Sequence, residues 1–116
     1  FPSSNGTPSL TPGIWTTDVS GAAGYNAGSE SDGDAAGHYT NSFGGTSSAC
    51  PGAAGVAALV IAREPELRWD EVKQILSQSC DKIDASGGRY DAEGHSSLYG
   101  YGRLNAKKAV ALAAPK

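Results

Sequence analysis

The sequence contains no methionine, and only two of its 116 residues are cysteines. The first absence leads us to expect a processed chain, an expressed fragment or one piece of a larger domain. Cys50 and Cys80 fit no metal-ligand spacing, and each lies in an apolar helical pattern. Buried free thiols are therefore the expectation, with a Cys50–Cys80 disulfide as the alternative, and the redox compartment stays open. No apolar run approaches the roughly 18 residues that a membrane span requires, and no stretch reads as a secretory signal. Lysine and arginine are missing from the whole stretch before Arg63. With a net charge of -3 and no basic cluster, the composition argues against a nucleic-acid partner.

What is present is glycine, sixteen residues of it, and a moderate apolar content of 39%. The length allows one small domain, residues 1–116, with a modest core. Residues 1–13 are rich in Pro, Ser, Thr and Gly and read as loop. The β-branched and aromatic run Ile14 to Val19 predicts a short strand. Ser20 to Gly37 is a Gly, Ala and acidic stretch that reads as a long surface loop, and "HYTNSF" adds a short extended piece. Ser47 to Arg63 predicts a helix whose small and apolar residues on all sides call for burial. Pro51 is expected in its first turn and Pro65 ends it. A second helix is predicted from Trp69 to Cys80, with Trp69, Val72, Ile75, Leu76 and Ser79 on one face. Asp70 and Glu71 occupy its first turn, where the helix dipole favours acids. A third runs from Ala106 to Ala114, capped by Asn105, with Ala109, Val110 and Ala113 as its apolar stripe. One or two strands and two further helices cover too little to wrap an all-round apolar helix, which again points to a missing part of the domain.

The turn "GGTSS", Gly44 to Ser48, carries the chemistry. Ser and Thr are ordinary helix N-caps, so a plain cap is one reading. The other is an activated serine. A hydroxyl is a poor nucleophile until a base, an oxyanion site and fixed geometry are supplied. Gly44 and Gly45 permit a sharp approach and leave room for a substrate backbone. The helix start points unpaired N–H groups and partial positive charge at a reacting oxygen.

The string "GGTSSACPGAAGVAAL" resembles the nucleophile motif of subtilisin-like serine proteases: Gly-Thr-Ser, three small residues, Pro, then a small-residue helix. "TPGIWTTDVSG" is similar to the preceding strand, "LRWDEVKQILSQSCDKID" to the next helix, and "YGYGRLNAKKAVALA" to the terminal turn and helix. The resemblance implies an α/β fold, the C-terminal portion of a parallel sheet flanked by helices, represented here by three helices and a few short strands. It implies a catalytic role for Ser47, with Gly45, Thr46 and Ser48 in the substrate and oxyanion vicinity. Ser48 is the rival nucleophile, but that register breaks the Gly-Thr-Ser match. Gly52 departs from the His that many members carry after the motif's proline.

The family's triad order is Asp, His, Ser, and the first two, like its oxyanion Asn, lie further upstream than this chain reaches. Neither His38 nor His95 matches the family base; His95 reads as a surface or loop-packing residue. The resemblance thus implies the nucleophile-bearing part of a serine endopeptidase that works through an acyl-enzyme. Its partners are a peptide or protein substrate and the N-terminal portion of the same domain. The isolated chain is expected to be inactive. The alternative is a non-catalytic, protease-derived binding or assembly module. Glu30, Asp32 and Asp34 lie close enough to suggest calcium, but without a complete loop pattern a solvated acidic loop is the expectation. The chain is expected to hold no cofactor or metal of its own, calcium belonging to the complete domain. Tyr90, Tyr99 and Tyr101 are expected to anchor their loop on the core. The resemblance favours an extracellular or cell-envelope location.

Overall fold

The computed structural model describes residues 12–113, and it divides into two compact units, 1–52 and 53–116. The sequence stretch 1–11 and the end of the third predicted helix at Ala114 lie outside the described residues.

In the first unit, β1 (Ile14–Thr17) pairs antiparallel with β2 (Tyr39–Phe43). Thr16 faces Thr40 and Thr17 faces Tyr39, with an irregularity between Ile14 and Thr16 that bends the edge. The strand is shorter than the run to Val19 because Asp18 turns its carboxylate onto its own loop. That carboxylate accepts from the amides of Val19 (2.8 Å) and Asn26 (2.7 Å).

The Gly- and Ala-rich connection from Ser20 to Gly37 is organised around Asn26, which is fully buried. Its Nδ2 donates to the carbonyls of Asp34 (2.8 Å) and Tyr39 (2.9 Å). Its Oδ1 accepts from the amides of Gly28 (3.0 Å) and Ser29 (2.7 Å). One side chain thus replaces ladder bonds that a loop with little apolar content has no other means to make. Gly33 is needed where the chain passes closest to β2: a Cβ there would sit 2.0 Å from the Tyr39 carbonyl oxygen.

Helix α1 (Thr46–Arg63) leaves the β2 turn, and the boundary between the units falls within it. The second unit adds α2 (Trp69–Gln78) and α3 (Ala106–Leu112). Its core is Val60, Val72, Ala109 and Ala113, with Val56, Ala57, Leu67, Ile75 and Leu76 packed against it. Burying Val60 and Val72 contributes about 1.5–3 kcal/mol each. The caps follow the sequence. Asn105 accepts from the Lys108 amide at 3.1 Å, and the Arg68 amide donates to Glu71 at 2.9 Å.

Several expectations are corrected. Helix α1 is not buried on all sides: Val60 is enclosed, but Leu59 and Ile61 are 53% and 45% exposed. Among the described residues, the helices of the second unit cover the stripe around Val60. Trp69 does not join the apolar face of α2; it is 75% exposed at the first turn. Ser79 is fully buried, but as the C-cap beyond the helix end, with its hydroxyl donating to the Leu76 carbonyl at 2.8 Å. The cysteines are both free, yet Cys50 is exposed and Cys80 half-buried. Tyr99 and Tyr101 stay substantially exposed, and the loop tyrosines tie the loop to itself. The Tyr90 hydroxyl donates to the Ile83 carbonyl (3.0 Å) and accepts from its amide (3.1 Å), while Tyr99 donates to Asp84 (3.3 Å).

Candidate active site

The site begins with the backbone of Gly45, whose φ of +84° favours glycine. This residue turns the chain from β2 into α1. Its carbonyl collects the start of the helix: the amides of Ser48 (3.1 Å) and Ala49 (3.3 Å) and the Ser48 hydroxyl (2.8 Å). Phe43, at the end of β2, stacks edge-on against Tyr25 with centroids 5.9 Å apart, fixing the approach to the turn.

The two neighbouring serines have opposite environments. Ser48 is 4% exposed and its hydroxyl is spent on Gly45. Ser47 is exposed, as is Thr46, and no described side chain or backbone group bonds the Ser47 hydroxyl. Among the described residues nothing accepts from the amides of Thr46 or Ser47. These are first-turn N–H groups, which a helix leaves without an internal partner. They lie on the positive end of the α1 dipole.

Pro51 lies further along the helix than the first turn. Four residues after Ser47, it has no N–H to give the Ser47 carbonyl, and its ring crowds that carbonyl. The Gly45–Ser48 turn and the proline are therefore linked through one missing helix bond, a relationship that the four-residue spacing encodes.

The histidines are occupied elsewhere. His38 Nδ1 meets the Ser20 hydroxyl at 3.1 Å, and His95 packs edge-on to Tyr101 at 5.2 Å. In the acidic loop, Asp34 is engaged with the backbone. Asp34 Oδ1 accepts from the amides of His38 (2.7 Å) and Tyr39 (3.0 Å), so it serves the turn. Among the described residues no group of three His, Cys, Asp or Glu side chains comes together. Asp18, which sequence reasoning passed over, is the better-placed carboxylate of this unit. The Asn26 amide, then those of Tyr25 and Val19, hold it below the ordinary aspartate value. The Asx signature "YNAGS", an Asn before small turn residues, was the available signal for this knot.

The profile described as the subtilase family matches residues 2–102. This chain belongs to the subtilase family. A calcium-dependent protease of Nostoc sp. is 70% identical over 115 residues, covering 99% of this chain and 17% of that protein. A kexin of Saccharomyces cerevisiae is 38% identical over 82 residues, 66% of this chain and 10% of that protein. Among solved structures, the serine protease of Aeromonas sobria superposes with a TM-score of 0.73 at 28% identity, over 89% of this chain and 23% of that one. This subtilase chain therefore spans only a minor part of the length of its curated relatives. It has part of the subtilisin-like α/β fold, with three helices and two strands among the described residues. No helix among the described residues is long and apolar enough to cross a membrane.

Proposed function

We propose that this chain supplies the nucleophile of a serine endopeptidase, and that the nucleophile is Ser47. The observation that carries this reading is the contrast at the start of α1. Ser47 presents an unrestrained hydroxyl to solvent, while Ser48 is buried and bonded to Gly45. The Ser47 oxygen attacks a peptide carbonyl, its proton passes to a histidine, and the amine leaves to give an acyl-enzyme that water hydrolyses. The free Ser47 amide donates to the oxygen that becomes negative, and the α1 dipole adds to that field. Thr46 flanks the same position, and the absence of a side chain at Gly45 leaves room for the substrate backbone.

His38 and His95 are both held by other partners, so the base comes from polypeptide outside these residues. The orienting Asp comes from the same source. The lone chain is then inactive, because a triad serine without its base loses orders of magnitude in rate. The Nostoc relative is named a calcium-dependent protease. In keeping with that name, calcium is assigned to the complete domain. A relative from Aeromonas sobria is named an extracellular serine protease, in keeping with a location outside the cytoplasm.

A fluorophosphonate probe tests the assignment. Labelling at Ser47 is expected when the chain is part of the complete domain, and none on the chain alone. A complete, folded domain that stays unlabelled at Ser47 favours the non-catalytic binding or assembly module instead.

A further inference from the structure

Only Gly44 and Gly45 stand between Phe43, the last residue of β2, and Thr46, the first of α1. Glycines impose little direction of their own, so the course of this turn is set from its two ends. On the helix side, the Gly45 carbonyl gathers the Ser48 amide and hydroxyl. On the strand side the ladder is weak, because the β1–β2 register shifts between Ile14, which faces Phe43, and Thr16. A hollow of about 320 Å³ beside β1 also borders Phe43 and leaves its ring room to swing. The ring of Tyr25 meets Phe43 at the edge of that hollow, with planes at 89°. Tyr25 is anchored through its backbone: the next amide, of the fully buried Asn26, donates to the Asp18 carboxylate at 2.7 Å. All these residues belong to the first unit.

We propose that Tyr25 is a positioning residue for the reaction at Ser47, acting through Phe43. This role presupposes that Ser47 is the nucleophile. Asp18 and Asn26 hold the Tyr25 backbone, and the Tyr25 ring stops Phe43 from turning into the hollow. Phe43 then sets the direction in which the chain enters the two glycines, and with it the line along which the Ser47 oxygen meets a carbonyl. Attack tolerates little misplacement, so a small change in that line costs rate. Tyr25 acts at one remove from the substrate, so its loss falls on kcat and leaves KM in place. The edge-on contact uses the ring alone and has no need of the hydroxyl.

The complete domain is compared with its Tyr25→Leu and Tyr25→Phe variants in peptide hydrolysis and in the rate of fluorophosphonate labelling at Ser47. Tyr25 is 71% exposed, so neither substitution removes core. Tyr25→Leu is expected to lower kcat about fivefold, the worth of one aromatic pair, with KM within about twofold and circular dichroism unchanged. Labelling slows by a similar factor, and Tyr25→Phe matches the wild type. Phe43→Leu lowers kcat as well, and the double Tyr25→Leu/Phe43→Leu variant is expected to be no slower than the slower single one. Unaltered kcat in Tyr25→Leu overturns the proposal, as do multiplying losses in the double variant. A raised KM at constant kcat makes the ring a substrate contact and overturns it too, and a Tyr25→Phe loss equal to that of Tyr25→Leu does the same. A wild-type domain unlabelled at Ser47 ends the nucleophile assignment and this role together. Labelling equally fast in wild type and Tyr25→Leu ends this role alone.

Discussion

The Ser48 hydroxyl donates to the Gly45 carbonyl at 2.8 Å, across the turn that holds Ser47 outward. This bond and the positive φ of Gly45 fix the start of α1 from the protein side. Thr46 and Ser47, the residues between them, are left exposed. Ser48→Ala is therefore expected to destabilise the turn by roughly 1 kcal/mol without removing probe labelling in the complete domain. Ser47→Ala removes the labelling and leaves the unfolding midpoint in place. Urea titration and intact mass after labelling distinguish the two. Gly45→Ala adds strain of about 1–2 kcal/mol, because a Cβ disfavours the left-handed backbone at that position.

Asn26 is the keystone of the loop between the strands. Asn26→Leu has similar bulk but leaves two carbonyls and two amides without their partner. Buried groups left unpaired cost about 1–3 kcal/mol each, less where water reaches them. The expected outcome is loss of protection for the Gly28 and Ser29 amides in hydrogen exchange, with the α2 amides unchanged.

Acid should loosen the junction between α2 and α3. Asp81 accepts from the Asn105 amide group at 2.9 Å and from the Lys108 ammonium, with Arg103 at 3.7 Å. The Lys108 bond first, and the Asn105 bond next, hold its carboxyl below the usual aspartate value. A lowered folded-state pKa means stability that is fully present above the unfolded value of about 4 and is lost as pH falls through the folded one. Urea midpoints are thus expected to be flat from pH 7 to 5 and to fall below pH 4. Asp81→Asn starts lower at neutral pH and shows a smaller fall; an unchanged slope in that variant contradicts the role given to Asp81.

The two thiols should differ in reactivity. Cys50 is exposed on α1. Cys80 is half-buried and donates to the Leu76 carbonyl at 3.3 Å; burial first, and the nearby Asp81 charge second, push its pKa up. Since the thiolate is the reacting form, iodoacetamide is expected to modify Cys50 well before Cys80 at neutral pH. Peptide mass mapping over a time course reads this directly, and equal rates at both residues count against it.

The elements were legible to different degrees. Local signals marked α2 and α3, because Asn105, the acids of the first α2 turn and the i, i+3, i+4 apolar spacing act within a turn or two of the chain. The Gly-Gly-Thr-Ser string before a small-residue helix marked the candidate site for the same reason. The Asn26 knot was legible only in its local half, the bonds to the Gly28 and Ser29 amides, and the Asp81 hub not at all. Asn26 also reaches Tyr39, and Asp81 reaches Asn105 and Lys108, and neither side chain announces which distant group it will meet.

Sequence alone determined where the helices start, that a serine would stand at the beginning of the longest one, and that the cysteines form no metal motif. Those properties follow from bonds and sterics between near neighbours in the chain. Tertiary structure alone decided that Ser48 turns in while Ser47 stays out, that Cys50 and Trp69 face solvent, and that α1 is covered around Val60. Burial depends on how much other polypeptide reaches a surface, and residue order does not state that quantity.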